Sequence, residues 1–525
     1  MWMSYRTYWK ICLPLIVGAC FLGAVTSHAS PASAEPPLYA DVRLDQPLVE
    51  VGRGGSVHAH IALFAPERDR GDRLRPQLNL GLVIDRSGSM NGIHKMSYAK
   101  EAAINIVDKL RPTDRIAVVD YDDVVTLLWP SRPVLDKHGI VGAISSLSPR
   151  GSTNLAGGMM EGIRAIQPQA GMDRVSRVIL LSDGLANEGI TDPDRIAAMA
   201  REARASGVVV TTMGLGRDYN EDLMQQIAEA GGGRYYYVEN PRELNRFFAH
   251  ELEGAIQTVA TGITLRITFE TNVSGFDFYG PDNASIGKTI ELPIEDLYGG
   301  EDRSYVVKLD HEALAEGDAK IASISLHYRD AESGQEYDIA YPVNLSATTD
   351  RTKAADSRDA KVDAMASMAR AERLQKTVID YAGKGDTAAA EAAYEGLEQE
   401  LDAAYKRTGE EKLLRRKEAI AVDKQRLQEA ARSPAAMMSF SKGAKQRSYM
   451  AAKGIQKGYV LQQGDKGLEV QNLQQALADA GIYTGPIDGV YDADVAAAVS
   501  AWQGQNSLST DGVAGPQTQN SLGLY

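Results

Sequence analysis

The feature that most constrains this chain is an alternation of apolar strands with amphipathic helices between residues 78 and 256. The apolar runs are short and rich in β-branched residues, which is typical of strands buried on both faces, and the segments between them carry apolar residues at helical spacing. The predicted strands are 80–84, 115–119, 178–181 and 208–213, and the predicted helices are 95–110, 155–167, 192–206 and 220–230. This order predicts a mainly parallel, doubly wound (Rossmann-like) α/β sheet.

Strand-like alternation of apolar and polar residues flanks this α/β region on both sides, in residues 37–63 and again in residues 257–348. Two strands at the start of the chain cannot bury a hydrophobic face by themselves. We therefore expect residues 35–77 to pair with residues 257–348 in one β-sandwich. The α/β domain of residues 78–256 would then be an insertion in a β domain.

The segment 350–432 is rich in Ala, Glu, Lys and Arg and contains no Pro, which favours helices with charged, solvated faces. The Gly-Lys-Gly-Asp sequence at 383–386 predicts the bend of a helical hairpin, so the segment is interpreted as a helical spacer. Residues 433–460 hold five basic residues and no acidic one. This composition favours a solvated basic linker and leaves contact with an anionic wall polymer as the alternative. The predicted fold class is multidomain, α/β plus β plus α.

The first residues have the layout of an export signal. Arg6 and Lys10 precede an apolar run over residues 11–25, and the Ala-Ser-Ala sequence at 32–34 provides a cleavage site. Residues 1–34 are therefore predicted to be a signal peptide. Such a signal would direct the mature protein out of the cytoplasm.

Both cysteines of the chain, Cys12 and Cys20, fall inside this segment, so the mature protein would hold no disulfide, thiolate metal site or cysteine nucleophile. Two alternatives stay open. The Val-Gly-Ala-Cys sequence at 17–20 resembles a lipobox, whose Cys20 would carry a lipid. A retained membrane anchor is the other alternative, although 15 apolar residues fall short of the roughly 20 that a spanning helix needs. No later segment approaches that length, so no transmembrane helix is expected in the mature protein.

The charge of the chain bears on its partners. The net charge is −14, and no long block of lysine or arginine is present. An acidic protein has no general electrostatic attraction for the nucleic-acid backbone. No nucleic-acid partner is therefore expected.

Oxygen-bearing side chains follow three of the predicted elements of the α/β region. Asp85, Ser87 and Ser89 come directly after the first buried strand, Thr153 precedes a helix, and Asp183 follows another strand. The carboxyl ends of parallel strands lie at one edge of a sheet, where the ligand sites of open α/β sheets form. Two carboxylates and three hydroxyls, without His or Cys, suit a hexacoordinate Mg²⁺ whose shell is completed by water, with Mn²⁺ or Ca²⁺ as possible substitutes.

The pattern Asp-x-Ser-x-Ser at 85–89, with Thr153 and Asp183, resembles the metal-ion-dependent adhesion site of von Willebrand factor type A domains. The resemblance spans roughly residues 78–256. It implies that the three hydroxyls are metal ligands and that the two carboxylates bind directly or through water. It also implies that an acidic side chain of a partner protein completes the metal sphere. Such a site serves binding and performs no bond chemistry.

The end of the chain contains two rounds of an amphipathic helix followed by an Asp-Gly turn, with the turns at 488–489 and 511–512. This pattern resembles the peptidoglycan-binding-like domain, a small three-helix module of bacterial wall proteins, over residues 461–525. The resemblance implies peptidoglycan as a partner. Together with the export signal, it would place the mature protein in the bacterial periplasm or cell wall. Trp502 is interpreted as a core residue, and the residues within 461–523 that would contact peptidoglycan are unknown.

Signatures of common hydrolases are absent, since the sequence has no His-Glu-x-x-His and no Gly-x-Ser-x-Gly. His58 and His60 share one face of a predicted strand without an identifiable carboxylate cluster, so they are interpreted as solvated or packing side chains. We therefore expect no enzyme activity. The predicted function is an exported cell-envelope protein that binds a protein partner through a Mg²⁺-dependent adhesion site and is tethered to peptidoglycan. The alternative is a regulatory subunit or cofactor of a cell-wall hydrolase.

Overall fold

The computed structural model of the chain describes residues 37–524 with the exception of 67–75, 93, 172–173, 242–243, 282, 454–460, 462, 465–467, 507, 509, 515 and 523. The predicted signal peptide (1–34), with Cys12 and Cys20, lies outside these described residues. Among the helices of the described part, none combines the length and the apolar character needed to cross a membrane.

The described chain opens with three strands and continues into the α/β domain. The strands are β1 (Tyr39–Leu44), β2 (Leu48–Glu50) and β3 (Gly55–Phe64). The elements of the α/β domain, in chain order, are β4 (Gln77–Asp85), α1 (Lys95–Lys109), β5 (Arg115–Tyr121), β6 (Val125–Pro133), α2 (Lys137–Ser145), α3 (Leu155–Ile166), β7 (Arg174–Ser182), α4 (Pro193–Ala205), β8 (Val208–Leu215), α5 (Glu221–Gly231), β9 (Gly232–Val238) and α6 (Leu244–Ile256).

The α/β domain is built on a six-stranded sheet in the order β6-β5-β4-β7-β8-β9. All neighbouring strands are parallel except β6, which pairs antiparallel with β5 at one edge. Helices α1, α2 and α6 cover one face, and α3, α4 and α5 cover the other. Because both faces are covered, β4 and β7 are buried along nearly their whole length. The doubly wound sheet predicted from the sequence is confirmed.

Strand β6 and helix α2 of this domain do not stand out in the sequence pattern. Strand β6 carries prolines at 130 and 133 and is exposed or half-buried throughout, which an edge strand tolerates because one side of it makes no ladder. Helix α2 has nine residues, two of them glycine, and buries only Ile140 and Ile144. Neither element has the apolar periodicity that marks the buried strands and the longer helices.

The chain then returns to strands. They are β10 (Thr258–Phe269), β11 (Val273–Tyr279), β12 (Ser285–Ile286), β13 (Thr289–Pro293), β14 (Leu297–Tyr298), β15 (Asp302–His311), β16 (Gly317–Asp330) and β17 (Glu336–Thr348).

These strands form a two-layer β-sandwich with β1, β2 and β3. One sheet has the order β1-β3-β15-β11, and the other has the order β12-β13-β10-β16-β17-β2, with β14 beside β10. Strand β3 pairs antiparallel with β15 over its whole length, and β2 pairs parallel with β17. Side chains from both sheets, among them Ile61, Leu265 and Ile324, form one core. The predicted insertion of the α/β domain in a β-sandwich is confirmed.

A helical region follows the sandwich. Its helices are α7 (Arg351–Asp356), α8 (Ala360–Gly383), α9 (Thr387–Thr408), α10 (Glu411–Ala430) and α11 (Pro434–Ala452). Helices α8 and α9 form the expected hairpin, with Gly385 at φ 76° in the bend and Asp386 capping α9. Helices α10 and α11 add apolar side chains to the core of this hairpin, so the region is a bundle.

The prediction of a solvated basic linker over 433–460 is wrong for its described part. Residues Pro434–Ala452 form α11, and Lys442 and Lys453 are only 3% and 2% exposed. Lysines can be buried here because carboxylates of distant elements pair with them, and local composition does not reveal such partners. Residues 454–460 lie outside the described residues.

The C-terminal domain contains the three expected helices: α12 (Leu468–Asp479), α13 (Ala493–Gln505) and α14 (Pro516–Ser521). Apolar residues of α12, α13 and the turns, including Leu473, Tyr491 and Val499, form a small separate core. Trp502 packs against this core while remaining half-buried.

Candidate metal centre

The five residues predicted for the metal site lie at the carboxyl edge of the α/β sheet, on three loops or at the strand end where a loop begins. Asp85 is the last residue of β4, and Asp183 directly follows β7, so the two carboxylates leave neighbouring strands side by side. Thr153 lies on the third loop, just before Asn154, which caps α3 with its side chain. The topology therefore delivers all three loops to one place.

The side-chain oxygens of these residues converge. Ser87 Oγ and Ser89 Oγ are 2.9 Å apart, and Ser89 Oγ donates to Asp183 Oδ1 at 2.6 Å. A Cβ on Gly184 would lie 3.2 Å from Ser89 Oγ and 3.3 Å from Thr153 Oγ1. Glycine thus allows the backbone to approach both hydroxyls closely. Residues far apart in the sequence form one oxygen-lined cluster.

Asp85 is anchored by two residues that the sequence analysis missed. Its Oδ1 accepts a hydrogen bond from Ser87 N at 2.8 Å, and its Oδ2 accepts one from Ser182 Oγ at 2.8 Å. The Tyr121 hydroxyl donates to Leu181 O at 2.8 Å and lies 3.4 Å from Asp85 Oδ2. Their positions in the sequence could have indicated them. Ser182 and Tyr121 are the last residues of β7 and β5, at the same sheet edge as Asp85.

Burial dominates the electrostatics of this cluster. Asp85 and Asp183 are fully buried, whereas Ser89 is exposed. Burial raises the pKa of Asp85 to about 6, and the Asp183 charge adds to this rise, against the lowering effect of the hydrogen bonds from Ser87 and Ser182. Two buried carboxylates held this close favour a cation beside them. The exposed Ser89 marks the side from which solvent reaches the cluster.

Arg86, between Asp85 and Ser87, forms ion pairs that link the loops of the site. Arg86 Nε lies 2.8 Å from Asp120 Oδ1 and 3.1 Å from Asp122 Oδ2. Arg150 Nε contacts the same Asp122 oxygen at 2.6 Å. Because Asp122 is buried, these ion pairs hold the first loop against the loop that leads to α3.

The donor set fits a hard divalent cation. It offers two carboxylates and three hydroxyls, and all of these donors are oxygens. Across the described ranges, no group of three or more His, Cys, Asp or Glu could hold a metal, so a metal here would depend on hydroxyl donors. One cationic group already contacts the cluster, since Lys95 Nζ donates to Asp183 Oδ2 at 2.7 Å. The sequence analysis did not identify Lys95.

Two buried glutamines organise the C-terminal domain. Gln474 Nε2 donates to Asp488 Oδ1 at 3.0 Å and to Val490 O at 3.1 Å, and Gln474 Oε1 accepts from Gly489 N at 2.8 Å. Gln474 is therefore a clamp on the first Asp-Gly turn. Tyr483, which lies 3.4 Å from the same amide nitrogen through its hydroxyl, is also buried.

The second turn repeats the arrangement. Gln503 Nε2 donates to Asp511 Oδ1 at 2.8 Å and to Val513 O at 2.9 Å, and Gln503 Oε1 accepts from Gly512 N at 3.0 Å. The two rounds seen in the sequence are thus two copies of one helix-to-turn clamp. Their buried polar residues hold the domain together rather than lining a groove.

Comparison with family models agrees with this architecture. Residues 79–250 match the von Willebrand factor type A domain, and residues 466–522 match the putative peptidoglycan binding domain. The chain therefore contains a von Willebrand factor type A domain and a C-terminal domain of the peptidoglycan-binding type.

Solved structures share the fold. A von Willebrand factor type A protein from Catenulispora acidiphila superposes with a TM-score of 0.61 at 18% identity, covering 81% of this chain and 98% of that one. The ArnB paralog VWA2 from Sulfolobus acidocaldarius gives a TM-score of 0.50 at 15% identity, covering 79% and 99%. The likeness extends beyond the α/β domain into its neighbours, and at these identities it establishes the fold alone.

Relatives by sequence come from bacteria and animals. An uncharacterized protein of Synechocystis sp. is 28% identical over 296 residues, or 54% of this chain and 69% of the relative. YfbK of Escherichia coli is 33% identical over 203 residues, which cover 38% of this chain and 35% of YfbK. Inter-alpha-trypsin inhibitor heavy chain H4 of Homo sapiens is 28% identical over 229 residues, which cover 41% of this chain and 24% of the human protein. The chain thus spans only about a third of YfbK and a quarter of the human protein.

Proposed function

We propose that this chain is an exported bacterial envelope protein whose von Willebrand factor type A domain binds a protein partner through a Mg²⁺-dependent adhesion site. Its C-terminal domain holds it on peptidoglycan. The observation that carries the proposal is the convergence of oxygens from Asp85, Ser87, Ser89, Thr153 and Asp183 at one sheet edge. Export follows from the predicted signal peptide and from the location of peptidoglycan.

The residues have distinct roles in this proposal. Ser87, Ser89 and Thr153 hold the metal through their hydroxyl oxygens, and Asp85 and Asp183 bind it directly or through water. A bound metal would supply a Lewis-acidic positive charge. An acidic side chain of the partner would complete its coordination shell. Ser182 and Tyr121 contact Asp85 Oδ2 and would orient this carboxylate toward a bound metal. The exposed Ser89 leaves the partner side open.

The proposed site binds and does not catalyse. Nucleophilic catalysis by Ser87 or Ser89 would need a base positioned to accept the hydroxyl proton. The Ser89 hydroxyl donates to Asp183 Oδ1, but Lys95 pairs with the other oxygen of this carboxylate and makes it a poor base. This arrangement supports a ligand role for the serine.

The experiment is affinity capture from envelope extract with the full mature chain, with Mg²⁺ or with a chelator. Asp183→Ala is the site variant, and Asp123→Ala is its matched control because Asp123 is an exposed carboxylate on a neighbouring loop. We expect Mg²⁺-dependent partners to be lost in Asp183→Ala and kept in Asp123→Ala. Identical partners under all conditions would refute the metal-dependent role. Recovery of a wall hydrolase would point to the regulatory alternative.

A further inference from the structure

A cationic side chain lies directly against the candidate metal centre. Lys95 Nζ contacts Asp183 Oδ2 at 2.7 Å, with side-chain exposures of 15% for Lys95 and 0% for Asp183. The other oxygen of Asp183 accepts from Ser89. Both oxygens of this carboxylate are therefore engaged, one by a site hydroxyl and one by an ammonium group.

The position of Lys95 in its helix is electrostatically unfavourable. Lys95 is the first residue of α1, and the first turn of α1 contains no acidic residue. The N-terminus of a helix carries a partial positive charge, which disfavours a cation there. Asp183, which comes from a different element, supplies the compensating negative charge.

Two glycines lie beside the Lys95 side chain. Its Cε would lie 3.8 Å from a Cβ on Gly92 and 3.6 Å from a Cβ on Gly216, and both positions lack one. Gly216 has a φ of +78°, a conformation that favours glycine. The Lys95 side chain therefore has no side chain of residue 92 or 216 packed against it.

The charges of the site show what would follow if a metal ion replaced Lys95 beside Asp183. Without a metal, Lys95 offsets one of two buried carboxylates. With a divalent metal, Asp85 and Asp183 together balance the ion, and Lys95 leaves one net positive charge near the exposed face. An excess positive charge in a partly buried site attracts anions and repels cations.

We propose that Lys95 is the resident counter-cation of this site. It weakens metal binding by holding Asp183 in the metal-free protein, and after metal binding its charge favours an anionic group at the open position. The inference rests on the proposed function, because it requires the five oxygens to bind a divalent ion.

The test uses Lys95→Met in the full mature chain, with Lys109→Met as matched control because Lys109 ends the same helix and is half exposed. Calorimetry with MgCl₂ and MnCl₂ should show at least ten-fold tighter metal binding in Lys95→Met, equivalent to about 1.4 kcal/mol. In EDTA, Lys95→Met should melt at a lower temperature than the wild type. Addition of Mg²⁺ should raise its melting temperature by more than it raises that of the wild type. Lys109→Met should match the wild type in metal affinity.

A second readout addresses the anion. Acetate binding to the Mn²⁺-loaded protein, followed by water proton relaxation, should be weaker in Lys95→Met than in the wild type. Lys95→Gln provides a second neutral variant if the methionine variant does not fold. Unchanged or weaker metal affinity in the neutral variants, or equal acetate binding, would overturn the inference. Failure of the wild type to bind either metal would instead overturn the proposed function.

Discussion

Lys453 and Glu295 form an ion pair with Nζ 2.5 Å from Oε1, and their side chains are only 2% and 3% exposed. Lys453 directly follows α11, and Glu295 belongs to the β-sandwich between β13 and β14. The pair therefore fixes the end of α11 to the sandwich. A segment whose composition suggests a solvated tether is in fact part of the interior.

Other side chains of α11 reach the remaining domains. Lys442 Nζ contacts Glu221 Oε2 at 2.5 Å on α5, and Gln446 Oε1 accepts from Tyr237 N at 3.0 Å on the edge strand β9. Arg447 contacts Asp423 of α10 at 3.0 Å. Helix α11 thus joins the α/β domain, the sandwich and the helical bundle, and it covers one edge of the α/β sheet.

Loss of one partner of the Lys453–Glu295 pair should be costly. Lys453→Met leaves a buried carboxylate without its counter-charge, so we expect a loss of about 3–5 kcal/mol in the free energy of unfolding. The double variant Lys453→Met with Glu295→Leu should recover most of that loss. Denaturant unfolding measures the stability of the single and the double variant. Equal stability of these two variants would show that the ion pair does not anchor α11.

Removal of either site carboxylate should abolish metal binding while leaving the fold intact. Asp85 ends β4 and Asp183 follows β7, so Asp85→Ala and Asp183→Ala both lie at the sheet edge, outside the apolar cores. Calorimetry with MgCl₂ or MnCl₂ should show no binding in either variant, and circular dichroism should resemble the wild type. Asp123→Ala should bind as the wild type does. Unchanged metal affinity in both site variants would remove these residues from the ligand set.

Acid should weaken the junction between the α/β domain and the sandwich. Burial alone would raise the pKa of Glu301, but the guanidinium groups of Arg234 and Arg303 outweigh it and lower this pKa from 4.5 to about 2. The resulting stabilisation, about 3 kcal/mol, is fully present above pH 4.5 and is lost as the pH falls through 2. The stability gap between the wild type and Glu301→Gln should therefore be constant near neutral pH and narrow below pH 4.5. Denaturant unfolding at several pH values measures the gap, and a constant gap down to pH 3 would contradict the assignment.

The C-terminal domain should provide the attachment to peptidoglycan. The full mature chain should sediment with insoluble purified peptidoglycan, and a chain ending at residue 453 should stay in the supernatant. Ending the chain at 453 keeps α11 and its ion pairs, which a shorter chain would lose. Sedimentation of the shortened chain to the same extent would place the attachment elsewhere.

Much of the fold could be predicted because burial leaves a periodic trace in the sequence. Strands covered on both faces, such as β4 and β7, are continuous apolar runs, and α3 and α5 carry a clear apolar stripe. The edge strand β6 and the short helix α2 bury too few residues to leave that trace. The five oxygen-bearing residues could be selected because their loops follow or precede predicted elements at one sheet edge.

The parallel sheet and the candidate metal ligands could be predicted from the sequence, since they depend on local periodicity and on motif spacing. Which charged side chains form pairs depends on the folded chain. Lys95 pairs with Asp183, and Lys442 and Lys453 pair with Glu221 and Glu295, across long stretches of chain. Composition reports that a segment is charged, but whether that charge is solvated or buried depends on a partner that only the folded chain brings within reach.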